Sequence, residues 1–350
     1  FAARRAVMAA IEKASLDQTG LRSDVTTLYQ GGQYHLYRYK KYTDVRLVFA
    51  PEHQIAFFGG DPDNFEYPRF NLDICLFRAY ENGQPAKLDH YLKWSHEGVR
   101  ERELVFVSGH PGSTDRQLTV DELEAQRDLL LPFRLERLHD LEVMLGAYSA
   151  RSEENARRAR KMFLGVQNGR KAIEGRQAGL MDPALMAKKQ LEEAQLRQAL
   201  ASQKEALAAW DEIRRAQRVL LPIHTPYALL ESAQGFNSTL FSIARTLLRA
   251  AEEKSKPNGE RLREFRESNR ESLELRLFSE EPIYDDFEQV KLTDSLVWLA
   301  RQMGFTNALV QKVLAGKSPR DRAADLVAGT KLKAVAVRRQ IGRASCRERV

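Results

Sequence analysis

Gly59-Gly60-Asp61-Pro62-Asp63-Asn64-Phe65-Glu66-Tyr67-Pro68-Arg69-Phe70-Asn71-Leu72-Asp73-Ile74-Cys75-Leu76-Phe77-Arg78 is the stretch on which the reading of this chain turns. A loop rich in glycine and proline feeds an apolar run that opens with one acid and closes at the turn signal Glu81-Asn82-Gly83. That pattern predicts a strand over residues 73–80. An aspartate buried at its head without a partner would be costly. Asp73 therefore sits at the solvent end of the strand or has a committed partner. Cys75, inside the apolar run, is expected to be a buried and inert thiol.

Outward from this strand, the residues between Asp24 and Thr119 read as β-rich. Short runs of β-branched and aromatic residues cover 25–29, 34–39, 45–49, 55–58 and 104–109, with turn signals such as Gly31-Gly32 between them. No helix-sized periodic segment separates these runs, so the sheet is expected to be antiparallel, and short strands with frequent turns favour a barrel or sandwich. Beyond Val120 the period becomes helical. Asp182 is placed as an N-cap and Pro183 as a first helical residue. Leu196, Leu200, Leu207, Trp210, Ile213 and Leu220 then mark one long amphipathic helix ending before Pro222. Further helices are expected over 121–145, 152–176, 238–254, 259–278, 292–303, 306–315 and 319–328. The fold class is α+β, a partial antiparallel β-barrel followed by a large α-helical domain.

The bulk numbers narrow the function. The 350 residues suffice for two domains, and 43% hydrophobic content supports a buried core. No apolar run approaches the roughly 20 residues of a membrane span. The net charge of +7 is spread through mixed-sign helical segments such as Glu260-Arg261-Leu262-Arg263-Glu264-Phe265-Arg266-Glu267. Such spacing makes i,i+4 pairs on a solvated face, whereas a phosphate-binding surface segregates its cations. There is no phosphate-cradling glycine loop and no zinc-ligand spacing, and the seven histidines are scattered. Residues 341–350, Ile-Gly-Arg-Ala-Ser-Cys-Arg-Glu-Arg-Val, match the translation of a sequencing adapter and are set aside from fold reasoning. The chain opens at Phe1 without an initiator methionine or a signal peptide, and a truncated sequence is expected.

Residues 59–80 closely resemble the signature of the bacterial dipeptidyl-peptidases 7 and 11 and their dipeptidyl aminopeptidase relatives. Residues 104–116, with Gly109-His110-Pro111-Gly112-Ser113-Thr114-Asp115-Arg116, resemble a second segment of that family. The likeness extends over nearly the whole chain to about residue 340. It implies a chymotrypsin-like double β-barrel carrying an inserted helical domain. Residues 1–120 would then be the β-rich part of the catalytic domain and 121–340 the helical domain. Asp73 corresponds to the triad aspartate, which accepts the imidazole Nδ1 proton and stabilises the imidazolium. Asn64 corresponds to the asparagine that contacts the substrate's free amino terminus. Phe65 stands where the family usually has tryptophan, keeping an aromatic wall without the indole donor. Gln167-Asn168-Gly169-Arg170-Lys171 resembles the stretch that brings a second asparagine, Asn168, to the same amine. Read alone, Asp73 is first a strand-edge or turn-capping acid, and Asn168 is equally a helix-surface amide.

The resemblance implies a serine dipeptidyl-peptidase that releases N-terminal dipeptides from oligopeptides. It implies no cofactor, no metal, no nucleic-acid partner and no membrane span. It also implies export to the periplasm or outer surface of a Gram-negative bacterium, and a homodimer. The family histidine would lie upstream of Phe1, and the nucleophile in a glycine-rich segment downstream of the helical domain. No Gly-x-Ser-Gly element is present, Ser108, Ser113 and Ser238 lack that context, and His110 is not the family histidine. The chain alone is therefore expected to be inactive. Two other readings stay open: a non-enzymatic helical interaction module with the stripe from Leu196 to Leu220 as its seam, and a basic nucleic-acid-binding protein.

Overall fold

Asn82 and Gly83 both take positive φ, 52° and 75°, as a two-residue hairpin turn requires. They fold strand β4 (Leu76–Glu81) back onto β5 (Gln84–Pro85). Strand β3 (Asp44–Phe49) lies antiparallel along the other edge of β4, with a bulge between Leu47 and Phe49. A separate antiparallel pair, β1 (Arg22–Leu28) and β2 (Gln33–Tyr39), is joined through a 3₁₀ turn at Tyr29–Gly31. This computed structural model describes residues 2–56, 59, 63–107, 115 and 117–344. Within them the strands make one two-stranded and one three-stranded sheet, every pairing antiparallel.

Three β expectations need correction. Residues 53–56 form a short helix, α2 (His53–Ala56), where a strand was expected over 55–58. Residues 104–107 are not strand; a run becomes a strand only when a neighbour takes its N–H and C=O groups, and no described segment does. Residues 108–114 lie outside the described residues. Cys75 is exposed rather than buried, because ladder pairing begins only at Leu76. A helix precedes the first strand, α1 (Ala2–Thr19).

The helical half begins at a capping box. The Thr119 hydroxyl accepts from the Glu122 N–H (3.3 Å), and the Glu122 carboxylate accepts from the Thr119 N–H (2.9 Å), opening α3 (Val120–Ala125). Pro132 has no N–H to give the preceding turn. The chain passes 126–130 as one π turn, Leu131 N–H donating to Gln126 C=O, and enters α4 (Leu131–Ser149). There follow α5 (Glu153–Met181), α6 (Pro183–Ala199) and α7 (Lys204–Pro226).

The single helix expected from Pro183 to Pro222 is therefore two. Residues 200–203 turn, with the Gln203 N–H donating to Leu200 C=O. The fold-back brings Arg197 over the Trp210 ring at 5.4 Å, whereas thirteen residues of straight helix would separate them by roughly 20 Å. Pro222 does not end α7, which runs on to Pro226. Of the expected stripe, Leu207, Trp210 and Ile213 are half-buried, while Leu196 and Leu220 are exposed.

The remaining helices are α8 (Thr239–Lys254), α9 (Arg270–Leu277), α10 (Asp285–Met303), α11 (Ala308–Leu314), α12 (Pro319–Gly329) and α13 (Val335–Ala344). The helix expected over 259–278 is three 3₁₀ turns followed by α9. Side chains intercept the N–H groups that a longer helix would use: Glu253 takes Leu262 N–H (2.6 Å) and Asn258 takes Glu267 N–H (3.0 Å).

Two compact units share the chain. The first comprises Phe1–Lys41, Val143–Lys161 and His224–Val350. In it α10 packs on α12, and Leu296, Trp298, Leu299, Val310 and Ala323 are shut off from solvent. The second comprises Tyr42–Glu142 and Met162–Ile223; Leu123, Leu131, Phe133, Val166, Ile173 and Met186 are buried in it. No helix among the described residues is long and apolar enough to cross a membrane.

Candidate functional site

The second unit contains a loop that only glycine can seat. Gly59 has φ +94°, and a Cβ there would stand 2.0 Å from the Leu164 carbonyl oxygen on α5. The absence of a side chain lets the loop backbone lie against the helix. At the loop's other end the Leu72 N–H donates to Ile55 C=O (2.9 Å). In between, the Glu66 N–H donates to Asp63 C=O (2.9 Å) and closes a tight turn whose third residue, Phe65, has φ +66°. A bulky residue rarely holds that conformation unless its surroundings impose it.

This turn carries Asn64 inward, where it is 4% exposed. Its Nδ2 donates to Asn168 Oδ1 at 3.0 Å, and its Oδ1 accepts from Arg69 Nη1 at 3.0 Å. Leu164 and Asn168 are four residues apart on α5, so they share one helix face. The close approach at Gly59 and the amide contact at Asn64 thus fall on successive turns of that face. On α4, Glu142 accepts from Gln167 Nε2 (3.2 Å) and from Arg170 Nε. Arg170 Nη1 also donates to both Glu174 oxygens at 2.8 Å. These bonds fix α5 where Asn168 leaves it.

Chemically, the pair presents two carboxamide oxygens, each accepting one of these hydrogen bonds and each with a second lone pair. Asn64 is enclosed and Asn168 is half-buried, so the approach lies on the Asn168 side. A small cation with several N–H groups suits such acceptors.

Asn64 and Asn168, 104 residues apart, are thus brought into direct contact. Phe65 follows Asn64 and is 62% exposed. Asp73 is not part of this cluster. It stands exposed just before β4, with no hydrogen bond or ion pair to any described residue. Ser238 is the N-cap of α8, accepting from Phe241 N–H and donating to Glu288 at 2.7 Å. Ser108, His110 and Ser113 lie outside the described residues. No group of three or more His, Cys, Asp or Glu suited to a metal occurs among the described residues. Sequence reasoning passed over Gly59 and Arg69. No sequence signal marked Arg69, because the burial of Asn64 that gives the contact its weight is set by the fold.

The family model described as Peptidase S46 matches residues 1–348. Over 258 residues the chain is 31% identical to the Asp/Glu-specific dipeptidyl-peptidase of Shewanella putrefaciens, covering 69% of this chain and 34% of that protein. It is 35% identical over 118 residues to dipeptidyl-peptidase 7 of Phocaeicola vulgatus, covering 31% and 16% respectively. The crystal structure of Porphyromonas endodontalis DPP11 with the dipeptide Arg-Glu superposes with a TM-score of 0.60 at 21% identity, covering 97% of this chain and 50% of that one. The folds correspond, and this chain spans about a third of the length of the first of these relatives.

Proposed function

The chain belongs to the peptidase S46 family, and from that footing we propose that it anchors the substrate amine in a serine dipeptidyl-peptidase that releases N-terminal dipeptides from oligopeptides. The observation that carries the reading is the hydrogen bond between Asn64 and Asn168. Dipeptide release requires that the substrate stop two residues short of the cut. Capturing its ammonium sets that distance, and two neutral carboxamide oxygens can do so without burying a second full charge. Phe65, exposed at the turn, supplies an apolar wall for the first substrate residues.

Asp73 takes the triad role in this reading. An exposed carboxylate before β4 is open to the Nδ1–H of an imidazole, which it would orient and stabilise as that ring takes the serine proton. The histidine and serine would come from sequence outside Phe1–Val350, and backbone N–H groups would stabilise the oxyanion. The sheet of β3, β4 and β5 is assigned to a chymotrypsin-like barrel within residues 1–120, and 121–340 to the helical insertion. In support, Leu47 and Phe77 face each other across the β3–β4 ladder and are 61% and 62% exposed, an apolar face that barrel closure would cover. Export, a homodimer and an oligopeptide partner come with the family reading as parts of the same proposal.

The test is calorimetric titration of the chain with Arg-Glu and with N-acetyl-Arg-Glu. The free dipeptide is expected to bind more tightly, and Asn64→Ala and Asn168→Ala each to weaken it by about 1.5–3 kcal/mol, the worth of a hydrogen bond to a charged group, with little effect on the acetylated form. Equal affinity of the wild type for both peptides sinks the amine reading.

A further inference from the structure

We propose that Arg69 is a positioning residue that sets the direction in which the Asn64 and Asn168 carboxamides run, and so where their oxygens stand for the amine; this rests on the amine reading above. The oxygen and nitrogen ends of a carboxamide are almost the same size, so packing alone does not choose between them. Arginine does choose, because a guanidinium carries donors and no acceptor. With Arg69 Nη1 at 3.0 Å, the end of Asn64 that faces it must be Oδ1. Nδ2 then points to Asn168 and must find an acceptor there, which is Asn168 Oδ1 at 3.0 Å. One cation thus orders two amides from one end of a relay. Asn64 is 4% exposed, so water does not offer it competing partners that would erase the order.

Reversing the relay would move both oxygens and turn N–H groups toward the place where an ammonium's own N–H groups arrive. Against this stands the repulsion between the guanidinium and a bound ammonium. Arg69 is only half-buried, and screening at a partly exposed site weakens that repulsion. Misplacing two acceptors for a charged donor is the larger effect. Arg69 therefore favours amine binding despite its charge.

Two measurements on the full chain separate this inference from the reading beneath it. The first records the side-chain NH₂ resonances of Asn64 and Asn168 by NMR in the wild type, Arg69→Met and Arg69→Lys. The wild type is expected to give one sharp set, Arg69→Met doubled or averaged sets, and Arg69→Lys, which keeps a donor-only cation, a single set again. The second measures the ratio of Arg-Glu to N-acetyl-Arg-Glu affinity in the same proteins, with melting temperature as the control for folding. Arg69→Met is expected to lower the ratio about tenfold, as the loss of a charge-assisted hydrogen bond predicts, and Arg69→Lys to restore most of it. Unchanged amide resonances, or a ratio unchanged or raised in Arg69→Met while the wild type still prefers the free amine, overturn the positioning role alone. A wild type with no preference for the free amine overturns the amine reading and this inference together.

Discussion

A methyl group at position 59 would have to occupy space 2.0 Å from the Leu164 carbonyl oxygen, at a φ of +94° that L-residues rarely adopt. Neither the helix backbone nor the loop can yield cheaply, and α5 is tied to α4 through Glu142 and Arg170. Gly59→Ala is therefore expected to cost about 1–3 kcal/mol of stability in the second unit, the usual range for forced overpacking. It should also unseat Asn64 and lower Arg-Glu affinity. Melting curves and titration check both effects; a Gly59→Ala variant with unaltered melting and binding contradicts this role for the loop. At this scale the stretches that resemble the family, 59–80 and 167–171, pointed to Asn64 and Asn168, which are in direct contact. Gly59 was quoted as part of that motif, but its necessity was not legible, since the helix turn it touches lies 105 residues away. Arg69 was hidden for a different reason: its partner is a neighbour in the same loop, and spacing alone does not say which way an amide points.

Among the elements, one buried carboxylate ties α10 to the start of α8. Glu288 on α10 accepts from Ser238 Oγ (2.7 Å) and Thr239 N–H (2.7 Å) at the N-terminus of α8, and pairs with Lys291. Burial by itself would push its carboxyl up, but Lys291, helped by the bonds from Ser238 and Thr239, outweighs burial and holds it below the usual range. A carboxyl with a depressed folded-state pKa contributes stability above its unfolded value, near 4.3, and loses that contribution as pH falls through the folded value. Glu288→Gln strands the buried Lys291, so at neutral pH it is expected to destabilise by about 3–5 kcal/mol. The gap between variant and wild type should narrow as pH drops below about 4; a gap constant from pH 7 to pH 3 in thermal melts contradicts the assignment. Element boundaries were legible where local chemistry sets them, as at the Ser238 cap, the Pro183 start and the Asn82-Gly83 turn. They were not legible where distant side chains decide. Glu253 and Asn258 divert the N–H groups of 262 and 267, and the α6–α7 break comes with Arg197 folding back on Trp210.

For the whole molecule, the change of hydrophobic period near Val120 marked where the helical half begins, but not the helix α1 ahead of the first strand or the sharing of sequence between units. The first unit draws on three separated stretches of chain, Val143–Lys161 among them, and no local pattern encodes such an interleaving. Nor did the alternation within β3 and β4 reveal that both Leu47 and Phe77 would remain uncovered. Apolar faces of this kind mark surfaces that bind other polypeptide. The chain is expected to self-associate with little dependence on salt, and Leu47→Lys with Phe77→Lys to reduce that association severalfold in sedimentation, since charge on an open sheet face opposes edge and face pairing. A wild-type chain that remains monomeric and fails to bind an apolar dye would contradict this. Whether Asn64 and Asn168 together receive a peptide's amino terminus can be seen outright in a crystal structure of the chain with Arg-Glu. The ammonium nitrogen is expected at roughly 2.7–3.2 Å from Oδ1 of both asparagines; a bound dipeptide whose amine touches neither oxygen contradicts the amine reading.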